Sequence, residues 1–461
     1  MIDLGFLEGR TVAVLGLGKS GLTTARALAA GGAAVLAWDD GAAARAAAGD
    51  VALTDLAARG LAGVDLLVMS PGIPHTHPKP HPVAQAAKDA GIPLISDIEL
   101  LVRALPGRQT IGITGTNGKS TTTTLIGHIC ALDGRPLAVG GNLGTPVLTF
   151  PMLPADGRLV LELSSYQLEI APSLGCDVAV LLNITPDHLD RHGGMAGYVE
   201  AKRRIFAQAP DGAAAVIAVE DEFTRAIADA LRAEGRLRVL PVSGGGAAVP
   251  GGIHVRGGVL IDDADGTARA VLDLGAVAAL PGAHNHQNAA AAYAACKAAG
   301  VPEATIRRGI ETFGGLAHRQ QRIAAVDGVA FVNDSKATNP DAAAKALACY
   351  RPIYWIAGGQ AKQGADMDAM APFAGSIRGA FLIGEAAADF ARWCDAQGIA
   401  HRTSFTLDAA VRDAFAAARG DDGAVILLSP ACASFDQFRN FEHRGEAFAA
   451  AVRAIVQGEA A

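Results

Sequence analysis

The segment Gly115-Thr116-Asn117-Gly118-Lys119-Ser120-Thr121 holds the residue types that phosphoryl transfer needs. Gly115 and Gly118 free backbone amides for phosphate oxygens, Lys119 can reach a γ-phosphate, and Ser120 offers Mg²⁺ a hydroxyl where a helix begins. The strict G-x-x-x-x-G-K spacing is missed, because position 113 is Ile. The plainer reading is a glycine turn with a solvated lysine. Glu162 closes the apolar run 159–163 and precedes Ser164-Ser165. An acid at the carboxyl end of a buried strand beside a P-loop suits a second Mg²⁺ ligand, or else a helix cap. Asp187-His188-Leu189-Asp190-Arg191-His192 follows another apolar run and makes His188 a candidate metal ligand, the alternative being a polar loop.

A second glycine motif, Gly16-Leu17-Gly18-Lys19-Ser20-Gly21, fits G-x-G-x-x-G, with Asp39 about twenty residues on. That pattern suits NAD, some other nucleotide diphosphate, or a turn without a ligand. Near the end of the chain lie Asp334-Ser335-Lys336-Ala337-Thr338-Asn339-Pro340, Gly358-Gly359-Gln360-Ala361-Lys362 and Ser429-Pro430-Ala431-Cys432-Ala433-Ser434-Phe435-Asp436. Each follows an apolar run. Together they point to a binding edge, although Asn339 before Pro340 is also a helix-capping signal. His75, His77 and His81 could suggest a metal, but the prolines at 74, 78, 80 and 82 favour a stiff exposed loop.

The elements that must carry these motifs alternate strand and helix. Strands are predicted at 11–15, 34–38, 65–70 and 92–95, with a helix at 21–30, which is the pattern of a parallel sheet with right-handed crossovers. A second unit opens near 109, with strands at 110–113, 159–163, 178–183 and 214–219. Short runs between 236 and 274 are split by Gly and Asp-Gly and predict a small antiparallel addition. An Ala-rich helix after His284 stops at Gly300. A third unit begins near 316, with a hairpin around Asp327-Gly328 and strands at 353–357, 380–383 and 425–428. The fold class is therefore α/β with three domains, 1–97, 98–315 and 316–461, which matches about 150 residues per domain for a chain of 461.

Half the residues are hydrophobic, which excludes an intrinsically disordered chain. The 39 Lys and Arg against 46 Asp and Glu leave a net charge of −7, which argues against nonspecific nucleic-acid binding. No apolar run is long enough to span a membrane and no secretory leader is visible. Six scattered cysteines without a C-x-x-C pair read as buried residues in a reducing cytosol, so the expected location is cytoplasmic.

The loop TGTNGKSTTTT, Glu162 within LELSSYQLE, NITPDHLDRH, HNHQNAAAA, GLAHRQ, DSKATNPDA and SPACASFDQFRNFEHRG together resemble the Mur ligases of bacterial cell-wall synthesis. The resemblance spans nearly the whole chain. The LGLGKSG start with Asp39, DSKATNP and SPACASFDQF are most similar to the branch that adds D-glutamate.

The resemblance implies a Rossmann-like first domain that holds a UDP-linked substrate instead of NAD, a central P-loop ATPase-like domain, and a Rossmann-like third domain for the amino acid. It implies ATP-driven phosphorylation of the carboxylate of UDP-N-acetylmuramoyl-L-alanine, attack by the amine of D-glutamate, and release of phosphate. The implied ATP residues are Gly115, Thr116, Asn117, Gly118, Lys119, Ser120, Thr121, Asn285, Arg319, Asp334 and Lys336. Those for the UDP-substrate are Gly18, Lys19, Ser20, Asp39, Asp40, Ser70, Gly72 and Asn142, and those for D-glutamate are Thr338, Lys362, Ser434 and Phe441. Two Mg²⁺ ions are implied, one at Ser120 and Glu162, the other at His188 with a carbamylated Lys202. On residue type alone, Lys202-Arg203-Arg204 reads as a solvated helix face. Lys119, His188 and Lys202 form the implied catalytic set, in a monomer. Phe435 stands where the family pattern leads one to expect a smaller aliphatic residue. The alternatives are another amide ligase such as a folylpolyglutamate synthase, which should lack the 16–39 nucleotide unit, an NAD-linked dehydrogenase, and a regulatory nucleotide-binding module. The last two leave Glu162, His188 and Lys202 without a task.

Overall fold

Three sheets, each with a P-loop-like or Rossmann-like parallel core, organise the chain in the computed structural model, which describes residues 1–361 and 366–458. The first sheet has the order Ala34–Trp38, Thr11–Leu15, Leu66–Met69, Leu94–Ile95, all parallel. Four-residue strands such as Leu-Leu-Val-Met are buried along their whole length because helices cover both faces. Helix Lys19–Ala30 starts straight from the first glycine turn and buries Thr24, Ala25, Ala27 and Leu28.

The second sheet is wider. Its order is Arg269–Asp273, Val259–Asp262, Ile253–Arg256, Arg238–Ser243, Ala214–Ala218, Val178–Leu181, Gln109–Thr114, Arg158–Glu162, Leu137–Gly141. The P-loop strand Gln109–Thr114 lies inside it, flanked by the strands that end in Glu162 and lead to Asn183. The expected antiparallel addition is only partly so. Arg238–Ser243 returns through helix Glu222–Glu234, and a helical crossover forces a parallel partner; Ile253–Arg256 then pairs parallel to it. Pairing becomes antiparallel only across the Gly257-Gly258 turn, where both glycines have positive φ, and again at Arg269–Asp273.

The third sheet has the order Gln321–Val326, Val329–Asn333, Val425–Leu428, Ile353–Gly358, Ile377–Ile383, His401–Phe405. Its first pair is the hairpin expected at Asp327-Gly328, whose φ values of 50° and 80° are those of a tight primed turn. The other pairs are parallel.

By contacts the chain forms two compact units. One is Met1–Gly275 with Ala283–Thr312, and so holds the first two sheets; the other is Ala276–Gly282 with Phe313–Ala461. All six cysteines are free: Cys130, Cys176, Cys296, Cys394 and Cys432 are buried and Cys349 is half-buried. No helix among the described residues is long and apolar enough to cross a membrane.

Candidate active site

In the first unit the P-loop is shaped by two glycines that need unusual backbone angles. Gly115 has φ 154° and Gly118 φ 86°, and a Cβ on Gly118 would sit 2.3 Å from Asn288 Oδ1. Gly118 caps helix Lys119–Asp133, so the helix starts with its free amides facing the loop. Asn183, just past the end of its strand, acts as a template. Its Oδ1 accepts from Asn117 N at 2.8 Å, its Nδ2 donates to Asn117 O at 3.1 Å, and its carbonyl accepts from Thr116 N. Thr116 Oγ1 is within 3.0 Å of Tyr198 OH and accepts from Thr185 N.

Lys119 does not extend into solvent. Its ammonium donates to the carbonyls of Gly115 and Thr116 at 2.8 and 2.9 Å. Lys202 Nζ donates to the same Gly115 carbonyl at 2.8 Å and lies 4.7 Å from the centre of the Tyr198 ring. The solvated reading of Lys202 is overturned, since the residue is 1% exposed on helix Met195–Arg203, whose inner face also buries Tyr198 and Ala201. Burial first, and the neighbouring Lys119 second, push its pKa well below the usual lysine range.

Glu162 pairs in register with Ile113 on the P-loop strand. Its Oε1 accepts from Asn142 Nδ2 at 2.8 Å, whereas its Oε2 is buried without a hydrogen-bond partner. It caps nothing; the following helix Ser165–Glu169 is capped by Ser164 in a capping box with Gln167. Ser120 is buried in the first turn of the P-loop helix and Thr121 follows it. An orphaned buried carboxylate oxygen at the end of a strand paired with the P-loop strand is what an oxygen-seeking cation requires. His188 has φ 52° and lies half-exposed, its Nε2 3.4 Å from Asp187 Oδ2 and its ring tilted against Tyr166. Asn285 is buried near the start of helix Ala283–Ala298, where Asn288 Nδ2 donates to its Oδ1. Among the described residues no three His, Cys, Asp or Glu side chains gather as a metal cluster. A Mg²⁺ held by one or two carboxylates, water and phosphate does not need one.

On the first sheet, Gly18, Lys19 and Ser20 open helix Lys19–Ala30. Ser70 Oγ donates to Gly16 O at 3.2 Å, so Ser70 faces the glycine turn, whereas the space around Gly72 is open. Asp39 uses both oxygens on backbone, accepting from Leu17 N and Gly41 N at 2.6 and 2.7 Å. Asp40 binds His81 Nε2 at 2.8 Å and Trp38 Nε1 at 3.1 Å. The three histidines of the 73–82 loop point to different partners. His75 is buried near Glu169, His81 caps helix Pro82–Asp89, and His77 packs on Gly193. The expectation of a plainly exposed loop therefore fails at His75, which is buried with its Nε2 3.6 Å from Glu169 Oε2.

In the second unit Asp334 is buried and accepts from Ser429 Oγ at 2.7 Å and Gln320 N at 3.2 Å; burial raises its pKa to about 7. Lys336 Nζ stands 5.4 Å over the Phe441 ring, and Lys336 O accepts from Thr338 N. Ser434 is buried, and the Gln360 and Ala433 backbones exchange hydrogen bonds, joining two of the expected loops. Lys362 lies outside the described residues. Phe435 is 68% exposed. The sequence reading did not single out Arg444, which is fully buried and donates to Ser335 Oγ, Ser335 O, Ala433 O and Cys432 O, so that it ties two of the polar segments to helix Phe441–Val456. Its signal was only one arginine in a tail of mixed charge. His318, with φ 61°, was missed too; its Nδ1 lies 3.1 Å from Asn333 Nδ2. Arg319 lies in the same segment of this unit, whereas Asn285 and the P-loop belong to the first.

Three family models match the chain: a Mur ligase MurD-like N-terminal domain over residues 10–96, a Mur ligase middle domain over 113–296, and a Mur ligase glutamate ligase domain over 318–432. Two curated proteins named UDP-N-acetylmuramoylalanine–D-glutamate ligase are similar over their full length. The one from Paramagnetospirillum magneticum is 51% identical, with all of both chains covered. The one from Rhodospirillum rubrum is 52% identical, covering all of this chain and 98% of the other. Among solved structures, UDP-N-acetylmuramate–alanine ligase from Thermotoga maritima superimposes with a TM-score of 0.57 at 16% identity, covering 96% of this chain and 99% of that one, a likeness of fold.

Proposed function

The chain belongs to the Mur ligase family, within the branch of UDP-N-acetylmuramoylalanine–D-glutamate ligases, and from that premise we propose how its residues join D-glutamate to UDP-N-acetylmuramoyl-L-alanine at the expense of ATP. The carboxylate of the L-alanyl group is a poor electrophile. Transfer of the γ-phosphoryl group makes it an acyl phosphate, the D-glutamate amine adds to the carbonyl carbon, and the tetrahedral adduct collapses with loss of phosphate.

Residues 1–97 take the UDP end, through Gly18, Lys19, Ser20, Ser70 and Gly72, with Asp39 and Asp40 toward the uridine. Asp39 acts by holding the glycine loop through the Leu17 amide, and Asn142 contacts the substrate. Residues 98–315 hold ATP. The amides of Gly115 to Thr121 cradle its phosphates, and Lys119, freed from its carbonyls by the stronger anion, follows the γ-phosphoryl group. Asn285 serves the nucleotide. Residues 316–461 supply Arg319, Asp334 and Lys336 on the nucleotide side, and Thr338, Lys362, Ser434 and Phe441 for D-glutamate.

Ser120 and Glu162 would hold one Mg²⁺, and His188 with a carbamylated Lys202 a second. When bound, the ions neutralise charge that builds up on the transferring phosphoryl group. A buried amine of depressed pKa is the form that adds to CO₂. As a carbamate, Lys202 keeps one N–H for the Gly115 carbonyl while its new carboxylate becomes an anionic oxygen donor. The enzyme is read as a cytoplasmic monomer.

The observation that carries this reading is the unpartnered, buried Oε2 of Glu162 on the strand beside the P-loop strand. The test is phosphate release from ATP. It should require both UDP-N-acetylmuramoyl-L-alanine and D-glutamate, and Lys119→Ala should lower turnover about a thousandfold or more. Release that ignored either substrate would overturn the reading.

A further inference from the structure

The Pro- and His-rich loop 73–82 has no task in the mechanism above, yet a single side chain, Arg191 on the short helix Leu189–His192, holds it at two carbonyls and holds the adjoining Pro71 at a third. Arg191 NH1 donates to His77 O at 2.7 Å, and its NH2 to Pro71 O and Ile73 O, both at 3.2 Å. The guanidinium lies over the Tyr166 ring, 4.8 Å from its centre. Tyr166 in turn packs on the His188 ring at 5.2 Å and stacks on His192 at 5.2 Å. A planar fork of donors that also stacks on an aromatic face is a role only arginine fills. The same surfaces meet at two more points. His75 Nε2 lies 3.6 Å from Glu169 Oε2, while Glu169 Oε1 holds His192 Nδ1 at 3.1 Å. Gly193 lies so close to His77 that a Cβ there would stand 2.8 Å from its Nε2.

Pro71 directly follows Ser70, whose Oγ donates to Gly16 O of the first glycine turn. We propose that Arg191 is a positioning residue for the UDP-linked substrate: it fixes the Pro71–His77 backbone, and through Tyr166 sets that backbone in register with His188. The inference rests on the reading of residues 1–97 as the UDP-substrate domain. The prolines of the loop stiffen it, so three carbonyl anchors suffice to fix the whole segment. Arg191 itself does not touch reacting atoms in this scheme. It sets where the two ends of one substrate are gripped.

The experiment compares wild type with Arg191→Ala and Arg191→Lys, by steady-state kinetics for each substrate and by calorimetry with UDP-N-acetylmuramoyl-L-alanine in the absence of ATP. Arg191→Ala should raise the KM and Kd for the UDP-substrate about tenfold or more, leave the KM for ATP and for D-glutamate within about twofold, and leave the melting temperature nearly unchanged. Arg191→Lys keeps the charge but loses the fork and should stay close to the alanine variant. Unchanged affinity for the UDP-substrate in both variants would overturn the inference. So would a parallel rise of all three KM values with a lowered melting temperature, which is the mark of a merely structural role. Should Arg191→Ala fail to fold, the lysine variant decides by the same split. Failure of the wild-type chain itself to bind the UDP-substrate would instead overturn the reading on which the inference rests.

Discussion

Two ammonium groups, those of Lys119 and Lys202, donate to one carbonyl oxygen, Gly115 O, at 2.8 Å each. Burial is the main reason that Lys202 is the amine driven toward its neutral form, and the like charge of Lys119 adds to it. Lys202→Ala is expected to lose most activity, and acetate or another short carboxylate to restore part of it by filling the anionic position of the carbamate. Wild type should show no such gain. An inactive variant that folds normally but resists rescue would remove the carbamate from the mechanism. Asp334 offers a second check. Its carboxyl ordinarily titrates at 3.8 and is raised to about 7 by burial. Between those values the native chain keeps a proton the unfolded chain has released, so the stability due to Asp334 is whole below about pH 4 and is lost as pH rises through about 7. Asp334→Asn stays neutral throughout. Its melting temperature relative to wild type should therefore climb from pH 4 to pH 8; a flat or falling difference would contradict the assignment. Lys119, Ser120 and Glu162 were legible in the sequence because each sits at the carboxyl end of an apolar run. Lys202 was not legible from residue type, since Lys-Arg-Arg on a helix says nothing about which member turns inward.

Strand and helix positions followed from alternation of apolar runs and Ala-rich segments, because fully buried parallel strands leave a strong signal. What escaped were the edges. His401–Phe405 is partly exposed and reads His-Arg-Thr-Ser-Phe, with no apolar run to announce it. Arg238–Ser243 was placed in an antiparallel ribbon because the glycines after it dominate the local pattern. Arg191 and Asn183 escaped because their partners, the 71–77 loop and the P-loop backbone, lie 114 and 66 residues away in sequence. The ribbon itself is tied down by one carboxylate. Asp262 is 1% exposed and accepts from Tyr293 OH, Arg269 NH2 and Lys297 Nζ, while Arg269 also grips Glu303. This joins the strands Val259–Asp262 and Arg269–Asp273 to helices Ala283–Ala298 and Glu303–Glu311. Asp262→Ala removes the acceptor that the three donors share, but Arg269 and Tyr293 keep Glu303 and the Arg269 and Lys297 side chains reach solvent, so the expected cost in urea unfolding is about 1.5 kcal/mol. A change below about 0.5 kcal/mol would mean that the donors re-pair with solvent.

At the scale of the molecule, the three-domain α/β architecture was legible because each domain opens on its own strand and glycine turn. The division into compact units was not, since it depends on Ala276–Gly282, seven residues that leave one unit for the other before the chain returns. The free cysteines fall evenly across that division, with Cys130, Cys176 and Cys296 in the first unit and Cys349, Cys394 and Cys432 in the second. Burial lifts the thiols of Cys176, Cys349, Cys394 and Cys432 to about 12, so these four offer almost no thiolate to a reagent, whereas Cys130, whose thiol is lowered by its hydrogen bond with Cys296, is shielded by being buried. The chain thus carries a natural set of clocks. In a pulse of alkylating reagent under mild denaturant, each cysteine is stamped only when its own surroundings open, and peptide mapping dates the two units separately. ATP should delay the stamping of Cys130, which rides on the P-loop helix, more than that of Cys394. Equal protection of both would show that the nucleotide steadies the entire chain as one cooperative body.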